Sequence, residues 1–132
     1  MSERESARDN FLRRALWASV PFNIGGGLAI AFPSSAVGRL AGLPPDVPAV
    51  YRFALALFVF LFGGVYAWLA MQPRFDRPMV ALAALGKGGF FALMLVLWFA
   101  GDASGPATLT AAGDLGFAAI FTWWLLGDGQ RR

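Results

Sequence analysis

Residues 78–100 read PMVALAALGKGGFFALMLVLWFA, and residues 107–126 read ATLTAAGDLGFAAIFTWWLL. Lys87 is the only charge between Arg77 and Asp102, and Asp114 is the only one between Asp102 and Asp128. Both stretches reach the roughly 20 apolar residues that a helix needs to cross a bilayer. A charge near the membrane midplane is costly, so it faces a partner or a water-filled cavity rather than lipid. The lone lysine and the lone aspartate therefore mark the interior of a helix bundle.

The rest of the chain follows the same pattern. Residues 15–38 and residues 53–73 also hold no charge. Charged residues make up 14% of the sequence, against about 25% in ordinary soluble domains. Four spans are predicted, at about residues 11–32, 51–71, 78–100 and 107–126. Breakers separate them: Pro33, Pro44, Pro45 and Pro48, then Pro73 and Pro78, then Gly101, Gly105 and Pro106. Short connections make successive helices antiparallel neighbours. The fold expected is an all-α, single-domain, four-helix up-down-up-down transmembrane bundle. Arg13 and Arg14 precede the first span in the manner of a signal peptide. The run behind them is about 18 residues, longer than the usual signal core, which favours a first membrane helix. In the long first connection, Ser34 is positioned to cap a short interfacial helix through Leu40.

Orientation follows from counting Lys and Arg. One side carries Arg4, Arg8, Arg13, Arg14, Arg74, Arg77, Arg131 and Arg132, and the other carries Arg39 and Arg52. The positive-inside rule then places both termini in the cytoplasm. Abundant Ala, Gly and Arg fit a bacterial inner membrane protein. Although the net charge is +3, the basic residues form no groove-sized face, which argues against a nucleic-acid partner. The partner implied is the lipid bilayer itself, with self-association or a larger membrane complex as further candidates. There is no Cys and no His, which excludes disulfides and Cys/His zinc sites and removes the commonest haem ligands. No cofactor and no metal site are expected.

Depth counting at about 1.5 Å per residue places three polar residues in the middle third of the membrane: Asn23, Lys87 and Asp114. They form the candidate binding site. Glycines cluster at the same height, at Gly25–Gly27, Gly63, Gly64, Gly86, Gly88, Gly89, Gly113 and Gly116. They serve either as seams that let helices approach or as room for a ligand. Lys87 and Asp114 lean in opposite directions, each toward its own helix N-terminus. The two read as a structural ion pair between adjacent helices; the lean would separate them, so a bridge of water or Asn23, or a snorkelling Lys87, is the alternative. Arg52 reads as an interfacial anchor or an anion contact, and Tyr66 as a packed interfacial tyrosine.

Several short pieces resemble small four-span bacterial membrane proteins of the DoxX-like kind. These are Phe32–Pro33, Ala41–Gly42–Leu43–Pro44, Gly64–Val65–Tyr66, Gly86–Lys87 and Gly113–Asp114–Leu115. The resemblance implies a four-helix membrane bundle and supplies no catalytic residue.

Three functions fit these residues. A binding or accessory protein of the membrane fits the absence of a Ser-His-Asp set, metal cluster or phosphate loop. A transporter or proton-coupled carrier would use Lys87 and Asp114. A membrane enzyme on a lipid-soluble substrate would use one of them as acid or base.

Overall fold

The computed structural model describes residues 2–127, and these form helices without strands. Helix α1 spans Glu3–Ala31, α2 spans Ala36–Leu40, α3 spans Ala49–Met71, α4 spans Arg77–Ala100 and α5 spans Gly105–Gly127. Helix α1 starts about two turns before the predicted Phe11. Its start is a capping box, in which Ser2 accepts from the Glu5 amide and the Glu5 carboxylate accepts from the Ser2 amide. Glu3 and Glu5 also place negative charge against the positive end of the helix dipole. The helix runs through Pro21 without a break in its assignment.

Helix α2 is capped by Ser35, not by the predicted Ser34: the Gly38 amide donates to Ser35 Oγ at 3.1 Å. Residues 32–35 form a turn closed by the Ser35 amide donating to the Phe32 carbonyl at 2.9 Å, so α2 starts one residue later. A Cβ on Gly38 would stand 2.4 Å from the Pro33 carbonyl oxygen, so this corner admits only glycine. Asp76 caps α4 by accepting from the Met79 amide at 3.1 Å, and Pro78 occupies its first turn. Gly101, at φ +85°, ends it in the left-handed conformation.

The helices associate as two antiparallel pairs. Helix α1 packs along α3, and α4 packs along α5. The pairs meet mainly through α1 and α5, while α3 barely touches α4. The shared core lies toward the chain's N-terminal end, where Leu12 and Leu16 of α1 meet Tyr66 and Leu69 of α3, Val80 of α4 and Phe121 of α5. At the opposite end, the turn after α2 reaches across to the α4–α5 connection. There Ser104 Oγ donates to the Gly42 carbonyl at 2.8 Å.

Three helices, α3, α4 and α5, are long and apolar enough to cross a membrane. Helix α1 has the length but falls short in apolar character, because Ser19, Pro21, Asn23 and Gly25–Gly27 dilute it. The surface agrees with a lipid environment. Leu85, two residues from the buried Lys87, is 73% exposed, and Phe99 and Leu109 are exposed to a similar degree. A water-soluble monomer seldom shows so much contiguous apolar surface.

The last carbonyls of a helix have no partner within it. Here arginines from neighbouring helices supply one. Arg52 donates to the Ala31 carbonyl at 2.7 Å, closing α1. Arg13 donates to the carbonyls of Ala70 and Gln72, closing α3. Arg8 donates to Trp123 and Trp124 and Arg77 to Leu125, closing α5. Each of these guanidinium groups also lies over an aromatic ring: Phe53 for Arg52, Phe75 for Arg13, Trp123 for Arg8 and Trp124 for Arg77. Cation charge is favourable at the negative end of the helix dipole, and the ring face adds to that attraction.

Candidate functional site

Helix α4 turns Lys87 into the bundle on the same face as Ala83 and Ala84, one turn before it, which are also buried. The lysine is 3% exposed. Its ammonium donates to Asp114 Oδ1 at 2.7 Å and to Asn23 Oδ1 at 3.0 Å. Asn23 in turn donates from Nδ2 to the Val59 carbonyl at 2.9 Å. One chain of hydrogen bonds therefore runs from α5 through α4 and α1 to α3. It is a polar tie between the two helix pairs, set in the middle of the helices.

The lysine and aspartate are in direct contact, without the bridge that their opposite leans offered as an alternative. The lean fixes the Cα–Cβ direction, but lysine carries its charge on a flexible four-carbon stem that can turn past it. Asn23 completes the site as a second acceptor rather than standing between the charges.

Three rings enclose the ammonium. The centroids of Phe22 and Tyr66 lie 5.0 Å from Nζ, and that of Phe117 lies 5.1 Å away. Ring faces are electron-rich and attract a desolvated cation. Phe22 and Phe117 touch edge to face at 5.4 Å, so the cage continues across the α1–α5 contact. Tyr66 is 2% exposed and belongs to this cage, not to the membrane interface where the sequence placed it. It stands near the end of α3, and its side chain leans back toward the N-terminus of that helix, into the bundle. Phe22 was not legible as a site residue. It precedes Asn23 by one position, and its ring comes round the helix to reach the lysine. Arg52 sits apart, at the end of α1, and its Nε is buried without a partner.

The glycines divide between two uses. A Cβ on Gly113 would stand 2.5 Å from the Phe22 ring, and one on Gly27 would stand 2.7 Å from the Phe60 ring. A Cβ on Gly63 would come within 3.3 Å of Asn23 Cβ. Gly113 and Gly63 make room for the site's own side chains, and Gly27 makes room for a ring of α3. Gly25, Gly64, Gly89 and Gly116 have nothing within 4 Å of that position and face open space.

Each of the three polar side chains of the network has a protein partner, and two clefts on the surface have none of its residues in their walls. Among the described residues, no three acidic side chains gather as a metal site would require. The arrangement is a paired, caged charge. No family model, no curated protein and no solved structure matches this chain.

Proposed function

We propose that this chain is a small polytopic integral membrane protein in which α1 crosses the bilayer together with α3, α4 and α5, forming a four-span bundle. In this reading it is a binding or accessory subunit, held together at the midplane by Lys87, Asp114 and Asn23. The observation that carries it is the network: the Lys87 and Asp114 charges are spent on each other within the α4–α5 pair, and Lys87 reaches across to Asn23 of the other pair. A buried polar group in a membrane is retained where it has a partner. What the protein offers to others is then its outer apolar surface, to a second copy or to a larger membrane complex. The bacterial inner membrane, cytoplasmic termini and likeness to DoxX-like proteins belong to this proposal, supported by the arginine bias and the short motifs already given.

The test is extraction of the full chain from its native membrane into mild detergent, followed by native mass spectrometry. A second copy or a stable partner should stay bound. A chain that is monomeric throughout, in detergent and in native membrane discs, rules out the accessory reading.

One observation favours a second reading. The Asp114 side chain keeps 13% exposure while its lysine is almost fully covered. A proton-coupled carrier would need an acidic group that water can reach. Proteoliposomes test this: flux that is abolished in Asp114→Asn, with the fold retained, supports the carrier, and flux unchanged by that variant removes Asp114 from it.

A further inference from the structure

A cleft of about 490 Å³ opens at the end of the molecule where α1 and α4 begin and α5 ends. Four arginines stand in its wall: Arg4 and Arg8 from α1, Arg74 from the α3–α4 turn, and Arg77 from α4. Its floor is aromatic, with Phe75 and Trp124 in edge-to-face contact at 5.6 Å.

The charges in this cleft are not all equivalent. Arg8 and Arg77 are engaged with carbonyls of α5. The two carboxylates of the wall are engaged as well: Asp9 accepts from Trp124 Nε1 at 2.8 Å, and Glu5 closes the capping box of α1. Arg4 and Arg74 have no hydrogen bond or ion pair within the described residues. They leave a surplus of positive charge from two different segments, facing one concave space above an apolar floor.

We propose that this cleft binds a phosphate anion, gripped by Arg4 and Arg74, with an anionic phospholipid headgroup as the source that its position favours. Guanidinium groups present planar forks of donors that match phosphate oxygens. The α3–α4 turn lies at this level, so a headgroup lodged here would sit above Phe75 and Trp124 with its chains directed toward the exposed apolar faces of the helices. The choice of a lipid over a free anion rests on the membrane reading above. The phosphate site itself does not.

Native mass spectrometry of the purified full chain in detergent, titrated with phosphatidylglycerol and with phosphatidylcholine, tests the proposal. Phosphatidylglycerol should be retained preferentially. Removing a basic residue near such a surface costs roughly five-fold in affinity, so Arg4→Gln with Arg74→Gln should weaken retention about twenty-five-fold. The paired variant Arg4→Lys with Arg74→Lys, which keeps the charge, should retain most of the preference. Neither arginine makes a hydrogen bond or ion pair within the described residues, so helix content by circular dichroism should be unchanged. Inorganic phosphate is the second arm. If it fails to displace phosphatidylglycerol, the source is lipid. If it binds through the same two arginines and no phospholipid preference exists, the source is a free anion. Unchanged binding of both ligands in the Gln pair overturns the site. Failure of the chain to float with liposomes would overturn the membrane reading alone, since the inorganic phosphate measurement does not depend on it.

Discussion

The ring of Phe22 lies against Gly113 so closely that a methyl group there would stand 2.5 Å from it. The residue next to that glycine is Asp114, and the same phenylalanine ring faces the Lys87 ammonium. The absence of one side chain on α5 therefore lets an aromatic ring from α1 reach the buried charge.

Gly113→Ala should push the Phe22 ring off the lysine and destabilise the fold by about 1–3 kcal/mol, the usual cost of overpacking. Gly116→Ala is the control. It lies on the same helix and meets nothing within 4 Å, so it should be neutral or stabilise by up to about 1 kcal/mol. Unfolding of the two variants by denaturing detergent, followed by circular dichroism, checks the contrast. Equal stability for both would contradict the contact.

Lys87 and Asp114 should behave as one unit. Lys87→Met leaves a mostly buried carboxylate unpaired, which typically costs about 3–5 kcal/mol. Replacing both, with Lys87→Met and Asp114→Leu, removes the two charges together and should recover much of that loss. A double-mutant cycle on the unfolding midpoint measures the coupling. Additive losses would mean that the pair contributes nothing jointly.

Arg13→Gln should uncover the carbonyls of Ala70 and Gln72 at the end of α3. A polar group left without its partner costs about 1–3 kcal/mol. Arg14 is the comparison, because it is exposed and makes no hydrogen bond or ion pair within the described residues. Arg14→Gln should change stability by less than about 0.5 kcal/mol, as surface substitutions usually do. Thermal unfolding of both in detergent reads the difference.

The chain has no native cysteine, so single cysteines can report its orientation without background. Leu40→Cys on α2 should react with a membrane-impermeant maleimide added to whole cells, because Leu40 is 84% exposed and the positive-inside rule puts α2 outside. Gln72→Cys, on the turn after α3, should react only after the cells are opened. The opposite pattern would reverse the orientation. Labelling of both from one side would remove the third helix as a span.

Much of this was visible before any coordinates. Lys87 and Asp114 stood out because a charge inside an apolar run has few tolerable surroundings, and Asn23 followed from its depth. The helices α3, α4 and α5 were legible because hydropathy and breakers report directly on length and ends. What stayed hidden depended on which helix ends meet. Arg8, Arg13, Arg52 and Arg77 read as topology signals, since a carbonyl on another helix leaves no trace in the local pattern. Tyr66 read as interfacial because counting residues gives the height of a Cα and not the direction of its ring. The length of α1 was underestimated because its first two turns are polar, and the signal for them is the Ser2–Glu5 box rather than hydropathy.

The arginine closures tie two properties that are usually adjustable on their own. The residues that would bias how the chain is threaded during insertion are the same ones that finish α3 and α5. A substitution that moved positive charge from Arg8, Arg13 or Arg77 to the opposite face would redirect threading and unseal a terminus in the same step. Variants that invert in the membrane should therefore emerge already weakened, and quality-control proteolysis would meet them before a reversed population accumulates.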